Sequence, residues 1–135
     1  MEAVAKLRNA KGSARKARLV IDQIRGKDVD EALNLLRFSE KHVSKRIEKL
    51  VESAISNWTN KNEGMRPEDS DLFVKACYVD GGPVLKRFRP APFGRAHRIR
   101  KRTCHITVVI DSRLPMEVVS ETPEDTMEES QENEA

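Results

Sequence analysis

Lys86, Arg87, Arg89, Arg95, Arg98, Arg100, Lys101 and Arg102 place eight cations between positions 86 and 102, with no acid among them. Six of the eight are arginines, whose planar guanidinium bridges phosphates bidentately and stacks on bases. Such a run repels itself unless anions intervene, so its chemistry is polyanion binding. Pro90, Pro92 and Gly94 interrupt the run and suit a turn. The other reactive residue types lack a usable arrangement. His42, His97 and His105 have no metal-ligand spacing, and Cys77 and Cys104 form no CxxC pair. Both thiols are expected reduced and packed, with no metal and no cofactor. Cys104, His105 and Asp111 invite an acid–base reading, but neighbours on an alternating strand face opposite sides, which separates Cys104 from His105. Gly81-Gly82 lacks the downstream Lys-Ser/Thr and helix of a phosphate-cradling nucleotide loop. It reads instead as a chain reversal or a close backbone approach.

The rest of the chain must hold this arm. At 135 residues it supports one domain with a modest core. The net charge of +3 conceals an asymmetry. Residues 114–135 carry eight acids and no Lys or Arg, which leaves 25 basic against 14 acidic residues in 1–113, a net +11. That points to nucleic acid or an anionic membrane surface. No apolar run is long enough to span a bilayer. The basic arm also lacks the helical period of a membrane-surface segment. The opening MEAVAKLRNAKGSARK has no signal-peptide core, so an intracellular setting is expected.

Residues 13–25 read as a helix capped by Ser13, with Ala17, Val20, Ile21 and Ile24 inward and Gly26 at its end. Arg15, Arg18 and Arg25 fall on an exposed side, with Asp22 placed to pair with Arg18. A second helix follows, with Asp28 and Glu31 as a capping box and Ala32, Leu35 and Leu36 inward. The third, capped by Ser39, carries one stripe from Val43 through Ile47, Leu50, Val51, Ala54 and Ile55 to Trp58, over about 20 residues. Then the period becomes two. DLFVKACYVD (71–80) and TCHITVVID (103–111) alternate as strands, and Val4–Asn9 supplies a third. The economical fold is α+β: three helices packed on a small three-stranded antiparallel sheet, with a long extended β-hairpin. The domain covers 1–112, with the hairpin at 80–103 and about 12 residues per arm reaching about 40 Å. Residues 113–135 read as a disordered acidic tail.

SARKARLVIDQIRGK (13–27), VDEALNLL (29–36), ESAISN (52–57) and VDGGPVLKRFRPAPFGRAHRIRKRTCHITVVI (79–110) together resemble the bacterial large-subunit ribosomal protein twenty-two family. The likeness covers about residues 4–111, in order and spacing. It implies a domain on the outside of the large subunit, whose hairpin enters large-subunit rRNA and lines the nascent-peptide exit tunnel. It further implies roles in early subunit assembly and contact with neighbouring large-subunit ribosomal proteins. No membrane partner and no free homo-oligomer are implied.

Residue by residue, Ser13, Lys16, Arg18, Arg25 and Gly26 match the family's rRNA-facing first helix. Gly82 and Pro83 match the start of the hairpin, and Lys86 and Arg87 its outgoing arm. Gly94, Arg95 and Ala96 match the turn, and Ile99, Lys101, Arg102, His105 and Thr107 the returning arm. The expected rRNA contacts are Arg8, Lys11, Ser13, Arg15, Lys16, Arg18, Arg25, Lys27, Lys86, Arg87, Arg89, Arg95, His97, Arg98, Arg100, Lys101 and Arg102. Pro90, Ala91, Pro92, Phe93 and Gly94 form the expected tunnel tip, with the nascent peptide as its partner. Departures from the family pattern are Ala91 and Phe93 where basic residues are usual, Arg89 for an apolar residue, Cys104 for serine, Trp58 for a small residue, and the acidic extension. An independent nucleic-acid-binding regulator is the competing reading. Its stacking platform would be poorly supplied, since aromatics make up 4% of the chain.

Overall fold

The computed structural model describes residues 2–62 and 65–113. The expected acidic tail lies outside these residues, apart from Arg113. Strand β1 (Ala3–Lys11) is followed by helices α1 (Ala14–Ile24), α2 (Val29–Phe38) and α3 (Ser44–Lys61), then by strands β2 (Leu72–Pro90) and β3 (Ala96–Ser112). The sheet order is β1-β3-β2 with both pairings antiparallel, so β3 is central and β2–β3 is the long hairpin.

One face of the sheet carries the core. Ala3, Ala5 and Ala10 of β1 lie beside Cys104, Ile106, Val108 and Ile110 of β3 and Leu72, Val74, Cys77 and Val79 of β2, all buried. The helices close over this face with Ala17, Val20, Ile21 and Ile24, then Val29, Ala32 and Leu36, then Ile47, Leu50, Val51, Ala54 and Trp58. Alanines on β1 leave room for the large side chains of α3, the helix packed on that strand.

Several local expectations are corrected. Strict alternation in β2 fails because Lys75 is an extra residue between Val74 and Ala76, a bulge that shifts the buried set from Leu72 and Val74 to Cys77 and Val79. Tyr78 is thereby turned outward, and Ala76 leaves the buried set. Ser39 ends α2 instead of starting α3; the Ser44 hydroxyl, buried, donates to the Ser39 hydroxyl at 2.9 Å. Leu35 is 41% exposed, because the inward side of α2 is set by Val29, Ala32 and Leu36. Asp28 stands at the α2 amino end but makes no side-chain cap; it pairs with Arg113 at 2.8 Å, and Glu31 pairs with Lys27. Asp22 pairs with Arg25 at 3.1 Å, leaving Arg18 to another partner. Ser13 likewise sits at the α1 cap position without a side-chain cap bond.

Candidate nucleic-acid interface

The hairpin leaves the domain at a place built from two bulges. In β1, Arg8 and Asn9 oppose His105 alone; in β2, Gly82 and Pro83 oppose Thr103 alone. Asn9 adopts φ 55°, and its N–H donates to His105 Nδ1 at 3.0 Å. The imidazole Nδ1 therefore accepts this bond and locks the first bulge. The Thr103 hydroxyl donates to Pro83 O at 2.7 Å and locks the second. A Cβ on Gly82 would stand 2.5 Å from Thr103 Oγ1 and 3.2 Å from His105 Nε2, so this close approach requires glycine. Of the two readings of Gly81-Gly82, a chain reversal or a close backbone approach, Gly82 shows the second, and the element it approaches is β3.

Beyond the bulges no helix covers the ribbon. Pairs run from Val84 opposite Arg102 to Pro90 opposite Ala96. The projecting part, Gly81–Pro90 with Ala96–Thr103, is shorter than expected and reaches about 30 Å, because Val79 and Cys104 still belong to the core. Antiparallel partners share a face. One face thus carries Lys86 opposite Arg100, Phe88 opposite Arg98, and Val84 opposite Arg102. The other carries Leu85 opposite Lys101, Arg87 opposite Ile99, and Arg89 opposite His97. Both faces are cationic. Among the described residues no acid pairs with any of these cations or with Arg95. The one side-chain bond of the group is local, from Arg87 to Lys86 O at 2.8 Å.

At the tip, Ala91 N–H donates to Arg95 O at 2.8 Å across a 3-10 turn, Pro92–Gly94. Phe93 has φ 60° and Gly94 φ 70°, two successive left-handed residues. Gly94 was expected to fill that role; Phe93 was not, and the conformation costs a β-carbon residue roughly 1–2 kcal/mol. The ring is 98% exposed, so it does not pack back on Phe88 or the prolines.

The remaining expected contacts divide into three groups. Ser13, Arg15, Gly81, Gly82, Arg102 and Thr103 line a shallow groove where the amino end of α1 meets the root of the hairpin. The fold thus brings Arg15 next to Arg102, and the open amino end of α1 adds its N–H groups to their charge. Arg8, Lys11 and Lys16 make no side-chain hydrogen bond or ion pair among the described residues. Arg18, Arg25 and Lys27 also have partners within the domain. Arg18 donates twice to Val79 O, at 2.9 and 3.2 Å, and Arg25 donates to Cys77 O at 3.0 Å, both along the outer edge of β2. Arg46, which the sequence did not single out, performs the same service on β1 by donating to Lys11 O at 2.6 Å. These bonds block both sheet edges.

Nothing in this surface resembles a reaction centre. Cys77 and Cys104 are buried free thiols, and burial pushes both up from the usual thiol range, away from the reactive thiolate. Cys104 faces the core and donates to Ala10 O, while His105 faces the other side. Among the described residues no group of His, Cys, Asp and Glu could hold a metal, and no helix is long and apolar enough to cross a membrane.

Residues 5–111 match the family model of ribosomal protein L22p/L17e. The chain is 57% identical over 110 residues to the large ribosomal subunit protein uL22 of Flavobacterium psychrophilum, covering 82% of this chain and 80% of the relative. It is 54% identical over 109 residues to the protein of that name from Bacteroides fragilis, covering 81% and 79%. The domain, the two-faced basic hairpin and these likenesses agree: the chain belongs to the ribosomal protein L22p/L17e family and is a structural ribosomal protein, not an enzyme.

Proposed function

We propose that this protein is a constituent of the large subunit of the cytoplasmic ribosome, anchored in large-subunit rRNA by its hairpin and by the groove at the hairpin root. The observation that carries this reading is the ribbon with cations on both faces and, among the described residues, no acid paired with them. A surface-lying ribbon needs charge on one face; a ribbon charged on both is matched to a surrounding polyanion. Its partners are rRNA and the neighbouring proteins of the subunit, and no cofactor is required.

The tip, Pro90–Gly94, then lies beyond the charged arms and borders the nascent-peptide exit tunnel. Placing such an arm early would organise the rRNA that closes around it, which gives the protein a part in subunit assembly. The test is cosedimentation. The full chain should remain with large subunits through a high-salt wash, whereas a chain whose residues 85–102 are replaced by a short turn should wash off. A full chain released at moderate salt would count against deep insertion.

A further inference from the structure

Helix α2 shows a stripe that the ribosomal reading does not use. Glu31, Leu35 and Phe38, spaced three and four apart, line a shallow groove with Gln23, Asn34 and Ser39. Leu35 is 41% exposed and Phe38 88%. Asp28 continues this stripe at its amino end and holds Arg113, whose guanidinium also lies 5.3 Å from the centre of the Phe73 ring. The last described residue is therefore fixed at the start of the stripe. The chain continues with LPMEVV, residues 114–119, in which Leu114, Met116 and Val118 alternate with Pro115, Glu117 and Val119. Six extended residues span about 20 Å, and the ten residues of α2 about 15 Å.

We infer that residues 114–119 seat along the Glu31–Leu35–Phe38 stripe and deliver the acidic remainder of the chain to the rRNA-binding end of the domain, as an intramolecular guard. The direction is fixed by the fold. Helix α2 begins at the sheet end far from the hairpin, where Asp28 bridges to Phe73. It ends beside α3, through the Ser44–Ser39 bond. Arg46 of α3 then reaches Lys11 O, and Gly12 N–H donates to Arg102 O at 3.0 Å, at the root of the hairpin. Seven of the eight tail acids follow residue 119 and would emerge past the end of α2, on the side where Arg46 reaches Lys11 and Gly12 reaches Arg102. The neighbouring hollow on the other side of α2 adds Asp30, Glu68 and Asp71 to Asp28 and Glu31, and this denser negative charge disfavours a segment that carries Glu117. Bound rRNA displaces the guard by supplying denser charge.

The inference rests on the rRNA reading, and one set of measurements separates the two. The probes are hydrogen exchange of the free full chain and binding of poly(U) RNA as a function of salt. Residues 114–119 should be protected in the full chain and lose that protection in Phe38→Ser, a change at an exposed position. At an effective tail concentration of about 1 mM, a contact as weak as about 0.1 mM lowers apparent RNA affinity about tenfold. At low salt the full chain should bind about tenfold more weakly than residues 1–113, and Phe38→Ser should restore full-chain affinity. The same substitution in 1–113 should change nothing, and all four proteins should converge at high salt. Unprotected 114–119, full-chain affinity unaltered by Phe38→Ser, or a dimer that Phe38→Ser dissolves would each overturn the guard. A shallow salt dependence in 1–113 would instead strike at the rRNA reading.

Discussion

Phe93 holds the most exposed ring of the described residues in a left-handed conformation, and neither feature stabilises the free protein. Both make sense if the ring has a partner elsewhere. Stacking on a nucleobase is typically worth about 1–3 kcal/mol, enough to offset the backbone cost. Phe93→Ala should leave subunit assembly intact and change the chemical reactivity of a few tunnel nucleotides; identical probing patterns in mutant and parent ribosomes would remove the stacking. A second residue-scale prediction concerns Asp111. Burial opposes its charge, but the Lys75 hydrogen bond at 2.9 Å and the Ser112 N–H outweigh that and hold the carboxyl below the usual range. Lys75, bonded first to Glu2 and then to Asp111, is held above its own range. A depressed acid contributes stability that is complete above its unfolded pKa and is lost as pH falls through the folded value. Asp111→Asn, which keeps an acceptor for Ser112, should therefore cost up to about 1 kcal/mol near neutral pH. The loss should shrink below about pH 4 and disappear in stronger acid. Denaturant melts at pH 7 and pH 3 read this directly, and an equal loss at both would rule out the ionic contribution.

At the scale of elements, the paired bulges at Arg8–Asn9 and Gly82–Pro83 decide where the hairpin goes. Gly82→Ala forces Thr103 away and breaks its bond to Pro83, at about 1–3 kcal/mol of overpacking strain. The larger expected effect is a redirected arm, with weaker retention on subunits than the stability loss alone explains. Normal retention would show that the root tolerates a new angle. Replacing 85–102 by a short turn should leave cooperative unfolding in place, because every fully buried large side chain lies outside that stretch. These devices were only partly legible in advance. The three helices and three strands follow from hydrophobic periods, and the basic arm from its charge. Bulges leave no such trace: Lys75 looks like any alternating residue until the register with β3 is known. The carbonyl partners of Arg18 and Arg25 were hidden for a related reason, since an arginine at a sheet edge has the same helical spacing as one facing RNA.

For the whole molecule, the proposed arrangement sets a folded domain outside and a charged ribbon inside a polyanion, with both faces of the ribbon in use. Salt dependence of binding to large-subunit rRNA tests this directly, since each phosphate contact contributes about 0.7–0.9 to the log–log slope. Two variants divide the ribbon by face: Lys86, Arg98, Arg100 and Arg102 to Gln on one, and Arg87, Arg89 and Lys101 to Gln on the other. The first should flatten the slope by about 3 and the second by about 2 to 3. A slope left unchanged by either variant would mean that the ribbon lies on the RNA by a single face, and would contradict the enclosed hairpin.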